Sequence, residues 1–86
     1  MISFEGLKKL MELRKLGKPL PKDWKKEVEE YFSWKIKAFD RLAENQSEWI
    51  NQLEQAIKIA KYLGVSTEEW EEKVKLIKMR MVNNIG

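Results

Sequence analysis

The side chains that most often perform catalysis or bind transition metals are absent from this sequence. It contains neither cysteine nor histidine, which removes thiolate nucleophiles, imidazole bases, disulfides and the common zinc ligands together. It also has no glycine-rich phosphate loop and no calcium-binding loop of suitable spacing. We therefore expect no enzyme activity, no cofactor, no metal and no small-molecule substrate.

Carboxylates remain as candidates, and their densest group is a run of four glutamates between residues 68 and 72. The run falls in the first turns of a predicted helix, where negative charge complements the partial positive charge of the helix N-terminus. A catalytic role would also need a pocket and an electrophile, which the sequence does not supply. The run Glu68, Glu69, Glu71 and Glu72 therefore predicts a solvated helix start.

Basic residues are concentrated near the two ends of the chain. Residues 7–26 carry eight basic against two acidic side chains, residues 73–86 four against none, and residues 42–72 two against seven. If the first and last helices lie together, their positive faces merge into one patch for nucleic-acid phosphate or for an acidic protein surface. The alternative is an ordinary solvated face, and the scarcity of arginine gives little support for base reading. The contact residues predicted on this basis are Lys8, Lys9, Arg14, Lys15, Lys18, Lys22, Lys25, Lys26, Lys73, Lys75, Lys78 and Arg80.

The clearest structural signal is a helical hairpin whose turn is centred on Gly64. Apolar residues recur at three- and four-residue spacing on both sides of it, which is typical of helices with one buried face. Gly64 suits the positive φ of a helix C-terminus, and Ser66 with Glu69 predicts a capping box for the next helix. We expect helices over residues 48–63 and 67–82, with fraying beyond. The predicted buried set is Trp49, Leu53, Ala56, Ile57, Ala60, Leu63, Trp70, Val74, Ile77 and Met81.

The segment 56–66 also resembles the first helix and turn of the helix-turn-helix DNA-binding motif. Ala60 stands four residues before the turn glycine, and Leu63 and Val65 flank that glycine. The second half departs from the motif, because phosphates would repel the three carboxylates on its recognition face, and because Lys73 stands where the motif buries an apolar residue. The pattern favours a plain capped hairpin. That recognition face would comprise Ser66, Thr67, Glu68, Glu71 and Glu72.

The first part of the chain predicts a helix over residues 3–16, with Ser3 as N-cap and Gly17 as its C-terminal stop. Pro19 and Pro21 then break the helix, and Pro21 suits the first turn of a second helix with Asp23 near its positive end. The residues predicted to face the core from these two helices are Phe4, Leu7, Leu10, Met11, Leu13, Trp24, Val28, Tyr31, Phe32, Phe39 and Leu42, with Ile36 and Ala43 on one shoulder and Trp34 on the other.

The end of the second helix is ambiguous. It falls within residues 44–47, with Ser47 as a cap for the third helix, or the two helices form one continuous helix over residues 21–63. A continuous helix of some forty residues would reach about 60 Å at 1.5 Å per residue, far beyond one small core. It would survive only in an intertwined dimer. We expect the broken version.

Two further features suggest a surface for protein contact. A 100° step per residue turns Leu76 and Met79 away from the inward stripe of the fourth helix, among basic residues, and such positions mark protein-binding or dimer surfaces. Trp34, which is off the core stripe, could join them. The alternatives are burial on a wider stripe and, for the tryptophans, a platform for stacking bases.

These observations predict one all-α domain over residues 1–86, a small four-helix bundle, with three helices in an intertwined dimer as the alternative. We expect a non-enzymatic protein-interaction or adaptor module that self-associates, with Trp34, Leu76 and Met79 at the interface. The alternative function is nucleic-acid binding through the lysine-rich face. The start of the chain has no secretory signal pattern and no apolar run spans a bilayer, so we expect a cytoplasmic protein without a membrane role. The lysine and glutamate content resembles that of thermophiles.

Overall fold

The protein folds as four α-helices in an all-α bundle, as the sequence predicts. The computed structural model describes the backbone of residues 2–42 and 46–85, and the side chains of residues 2–39 and 46–81. The helices are α1 (Phe4–Lys15), α2 (Trp24–Leu42), α3 (Gln46–Tyr62) and α4 (Glu68–Ile85). The bundle is elongated and measures 48 × 20 × 17 Å along its principal axes.

Helix α3 is the centre of the bundle, because the other three helices all pack on it, and α2 also packs on α4. This position explains why the buried face of α3 is wider than its sequence stripe predicts. Ile50 and Ile59 lie on opposite edges of the predicted stripe, and both are buried. A helix with three neighbours buries about half of its circumference, whereas an amphipathic surface helix buries a narrower stripe.

The core contains the predicted buried residues Leu53, Ala56, Ile57 and Ala60 of α3, whereas Trp49 is partly buried and packs against it. An aromatic stack joins the core to α4. The rings of Phe32 and Trp70 are nearly parallel with centroids 4.1 Å apart, and Tyr31 meets Phe32 edge-on at 5.4 Å. Three of the four tryptophans (Trp24, Trp49 and Trp70) pack against this core. The predicted stripe positions Leu42 and Ala43 lie outside the described side chains.

The helix ends are set by the predicted capping residues at three places. The Ser3 hydroxyl accepts a hydrogen bond from the Gly6 amide at 3.2 Å. Gly17 and Gly64 have φ of 70° and 86°, and the amides that follow them close Schellman motifs by donating to the Leu13 and Ala60 carbonyls. Because only glycine adopts such φ values freely, both helices end where the sequence predicts.

Four predicted boundaries are wrong by one to three residues. Helix α2 begins at Trp24, after a turn in which the Trp24 amide donates to the Pro21 carbonyl, so Pro21 precedes the helix. Ser47 lies inside α3, which begins at Gln46. Thr67, not Ser66, takes the N-cap position of α4, because its carbonyl accepts the first helical hydrogen bond from Glu71. Helix α4 continues past the predicted end at residue 82 to Ile85.

Helices α2 and α3 are separate and fold back on each other. The Trp49 indole donates a hydrogen bond to the Lys35 carbonyl at 3.3 Å, whereas a continuous helix would hold these residues about 21 Å apart at 1.5 Å per residue. The continuous-helix alternative is therefore wrong. The predicted junction at residues 44 and 45 lies outside the described residues.

Candidate interaction surface

The α3–α4 hairpin carries an open groove along its length. Two ion pairs cross between the helices, Lys61–Glu71 at 2.7 Å near the turn and Glu54–Lys78 at 3.2 Å two helical turns away. The second pair lies seven residues back along α3 and seven forward along α4, so the antiparallel register is fixed at both ends. The groove therefore has defined walls over about 10 Å at 1.5 Å per residue.

The floor of this groove is apolar and its rim is positively charged. The groove has a volume of about 640 Å³, and the register places Ile57 and Val74 at its middle. Lys58 and Lys75 stand on the two sides at that same level, and neither is in an ion pair among the described residues. Four lysines and two glutamates line the rim, so it carries a net charge of +2. The lining residues are Glu54, Ile57, Lys58, Lys61, Glu71, Val74, Lys75, Lys78 and Met79.

Glu71 connects α3 and α4 at the end of the groove near the turn. Its carboxylate accepts a hydrogen bond from the Thr67 hydroxyl at 3.1 Å and pairs with the Lys61 ammonium at 2.7 Å. The bond from Lys61 lowers the pKa of Glu71 from its ordinary value, and the Thr67 hydroxyl lowers it further. This glutamate therefore stays ionised to a lower pH than an ordinary glutamate, and it joins the first turn of α4 to the end of α3.

Leu76 and Met79 are both exposed, as the sequence predicts from their angle on the helix. Their exposed fractions are 53% and 54%, although Trp70, Val74 and Ile77 of the same helix pack inward. Met79 also lines the groove, whereas Leu76 does not. The outer face of α4 and the α3–α4 groove are therefore neighbouring surfaces that share Met79.

Trp34 is exposed and lies on α2, a different helix from the one that carries Leu76 and Met79. The residues of α2 that line the cleft with α4 include Glu29, Ser33 and Ile36. Because each residue turns the helix by 100°, Trp34 lies on a different side of α2 from the side that lines that cleft. The ring contacts among the described residues join Trp34 to Trp49 and Lys35, so an interface shared by Trp34, Leu76 and Met79 stays a prediction.

Trp34 belongs to an aromatic cluster that the sequence analysis missed. Its ring centroid is 6.4 Å from that of Trp49, and the Lys35 ammonium lies 4.1 Å from the Trp49 centroid and about 6 Å from the rings of Tyr31 and Trp34. Burial lowers the pKa of Lys35. The spacing of Tyr31 and Lys35 is visible in the sequence, but Trp49 comes from the next helix, which periodicity alone cannot place.

The twelve predicted basic contact residues are all exposed. Helices α1 and α4 both pack on α3 and are not a principal pair with each other, so direct packing of α1 on α4 does not support the merged patch, which stays a prediction. Several of these residues also make contacts within the chain. Lys8, Lys73 and Lys78 form ion pairs with Glu5, Glu69 and Glu54, respectively. Arg14 lies over the ring of Trp24, and Lys15 lies over the ring of Tyr62.

Within the described part of the chain, no group of three or more acidic side chains is arranged to hold a metal ion. Over the same residues, no helix is long and apolar enough to cross a membrane. In comparisons with known proteins, no family model matches this chain, and neither the curated proteins nor the solved structures gave a match.

Proposed function

We propose that this protein is a non-enzymatic protein-interaction module that binds an acidic amphipathic helix in the α3–α4 groove. The observation that carries the proposal is the combination of an apolar floor with a lysine rim. An amphipathic helix buries its apolar stripe in such a groove and presents flanking side chains to both walls. Lys58 and Lys75 on opposite walls then favour a ligand with carboxylates on both sides of its apolar stripe.

The length and openness of the groove favour a helix over a small molecule. Its defined walls extend for about 10 Å, which is close to two turns of α-helix. Small-molecule sites bury most of the ligand surface in concave pockets, whereas this groove is open to solvent between two helices. A partner helix therefore needs apolar anchors only at positions i, i+3, i+4 and i+7.

The test is a titration with two labelled helical peptides of about 18 residues, followed by fluorescence anisotropy. Both carry leucine at the four anchor positions, and the flanking residues are glutamate in one peptide and lysine in the other. We expect the acidic peptide to bind with micromolar affinity, and added salt to weaken this binding because exposed charges are screened. The protein variant Lys58→Glu should bind the acidic peptide at least about fivefold more weakly than the wild type.

Lys9→Glu is the matched control, because it makes the same charge change on α1, which does not pack principally on α4. It should leave the affinity for the acidic peptide within about twofold, the range expected when exposed charges are well separated. Equal affinity for the two peptides, or equal weakening by Lys9→Glu and Lys58→Glu, would contradict the proposal.

A second candidate function is nucleic-acid binding through phosphate contacts near the α1–α2 connection. Lys9, Lys18, Lys22, Lys25 and Lys26 are exposed and have no ion-pair partner among the described residues. Such cations would release counterions from a duplex, so binding would fall steeply with salt. This function is supported if the wild-type protein retains a short DNA duplex at moderate salt and Lys22→Glu does not. The absence of binding even at low salt excludes it.

A cytoplasmic location and a thermophilic source stay predictions.

A further inference from the structure

Three aromatic rings surround one ammonium group between α2 and α3. The Lys35 ammonium lies 4.1 Å from the ring centroid of Trp49, 5.9 Å from that of Tyr31 and 6.0 Å from that of Trp34. Two helices build this aromatic cluster, because Tyr31 and Trp34 lie on α2 and Trp49 lies on α3. The hydrogen bond from the Trp49 indole to the Lys35 carbonyl holds the Trp49 ring against α2. Several aromatic rings around one cation are the arrangement by which proteins recognise quaternary ammonium groups.

The cluster is a poor site for the primary ammonium that occupies it. An ammonium has three N–H donors, and no carboxylate among the described residues forms an ion pair with Lys35. Burial also lowers the pKa of Lys35, because the charged form loses contact with water. Both features weaken the attachment of Lys35 to the rings.

The distances in the cluster suit a larger cation. Two of the three rings lie about 6 Å from the Lys35 nitrogen, which is the outer limit of a cation–π contact. A methyl group bonded to that nitrogen would extend about 1.5 Å towards either ring and come close to van der Waals contact with it. A quaternary ammonium also has no N–H donor that needs an acceptor, so it loses less than a primary ammonium when rings replace water.

The cluster is open to solvent on the side where Lys35 lies. Trp34 is 43% exposed, and Lys35 and Trp49 are partly exposed. Tyr31 is buried, so its ring forms the inner side of the cluster. The Lys35 side chain is a flexible four-carbon stem, and its movement into water would uncover the rings.

We propose that the aromatic cluster is a binding site for a quaternary ammonium group, and that Lys35 occupies this site until such a ligand displaces it. The trimethylammonium group takes the position of the Lys35 ammonium, which moves into water. Because Lys35 competes from within the same chain, the apparent affinity of the wild type is reduced to the fraction of molecules in which Lys35 has left. None of these residues lines the α3–α4 groove, so the inference goes beyond the proposed function.

A titration with tetramethylammonium chloride, followed by the NMR signals of the tryptophan indole N–H groups, tests the site. We expect the signals of Trp34 and Trp49 to shift with a Kd in the millimolar range, because so small a ligand makes few contacts. The signals of Trp24 and Trp70 should stay in place. Ammonium chloride at the same concentrations is the control for ionic strength. Equal shifts with the two salts overturn the proposal.

Substitutions test whether Lys35 is the competitor. Lys35→Ala should bind tetramethylammonium at least about fivefold more tightly than the wild type, and Trp34→Ala at least about threefold more weakly. Lys37→Ala is the matched control, because it removes the same charge from α2 but Lys37 lines the cleft with α4; its affinity should stay within about twofold.

Lys35→Gln is a second variant, which removes the charge and keeps part of the stem, for use if Lys35→Ala loses helical content. Unchanged affinity in a folded Lys35 variant, or an equal gain in Lys37→Ala, overturns the proposal.

A trimethyllysine peptide and phosphocholine distinguish the two sources of such a cation, a modified protein and a lipid head group. Binding of either supports the site, and the tighter ligand identifies the source. The same peptide with unmodified lysine is the control, and equal affinity for the two peptides contradicts recognition of a methylated protein. If phosphocholine also fails to bind, the site as a whole is refuted. Peptide binding in the groove, read through Lys58→Glu, reports on the proposed function separately.

Discussion

Replacement of Tyr31 by phenylalanine should stabilise the protein. The Tyr31 side chain is 3% exposed, and its hydroxyl is buried with no hydrogen-bond partner among the described residues. A buried hydroxyl without a partner costs about 1–3 kcal/mol in proteins. Tyr31→Phe removes that cost, keeps the edge-on ring contact with Phe32, and leaves a void that costs a few tenths of a kcal/mol at about 24 cal/mol per Å³. We expect a net gain of about 1 kcal/mol.

The pH dependence gives this prediction a second readout. Burial raises the pKa of Tyr31 from 10.0 to about 12, so the folded protein holds a proton that the unfolded chain releases. The contribution of the protonated Tyr31 hydroxyl to the free energy of unfolding is fully present below pH 10, and it is lost as the pH rises towards 12. Tyr31→Phe lacks this loss, so its advantage over the wild type should grow across that interval.

Thermal and chemical unfolding at neutral and alkaline pH provide the assay. A gain of 1 kcal/mol corresponds to a rise in Tm of about 4–8 °C for a domain of this size. Tyr62→Phe is the control, because the Tyr62 ring is about half exposed and should change stability by less than about 0.5 kcal/mol. A loss of 1 kcal/mol or more in Tyr31→Phe would refute the reasoning, because it would show that the hydroxyl is satisfied in solution.

Three further substitutions test the packing of the helices. Gly64→Ala should cost about 1–2 kcal/mol in unfolding experiments, because φ is +86° and no neighbour within 4 Å would meet the new methyl group, so the cost is backbone strain alone; an unchanged Tm would contradict this. Glu71→Gln should be less stable than the wild type at neutral pH. Its deficit should vanish as the pH falls below the ordinary pKa of glutamate and through the lowered pKa of Glu71; a deficit that persists in acid would exclude the Lys61 pair as its cause. Phe32→Leu should lower the guanidinium midpoint, because it loses ring contacts with Tyr31 and Trp70 worth about 0.5–1.5 kcal/mol each; a shift below 0.5 kcal/mol would show that packing with leucine replaces them.

Helix ends were predictable from the sequence where a single residue could serve as the cap. Gly17 and Gly64 have no competitor for a positive φ, and both end their helices as predicted. Ser66 and Thr67 are both good N-caps, so the sequence alone could not choose between them. The choice is made by a tertiary contact: the Thr67 hydroxyl reaches Glu71, which Lys61 holds from the preceding helix.

The candidate site was predictable only in the part that lies on one helix. The angle of Leu76 and Met79 on α4 follows from 3.6 residues per turn, and their exposure confirms it. The opposite wall of the groove, with Lys58 and Lys61, depends on the register between α3 and α4, which periodicity within each helix does not contain. The placement of Trp34 on Trp49 depends in the same way on how α2 and α3 fold back on each other.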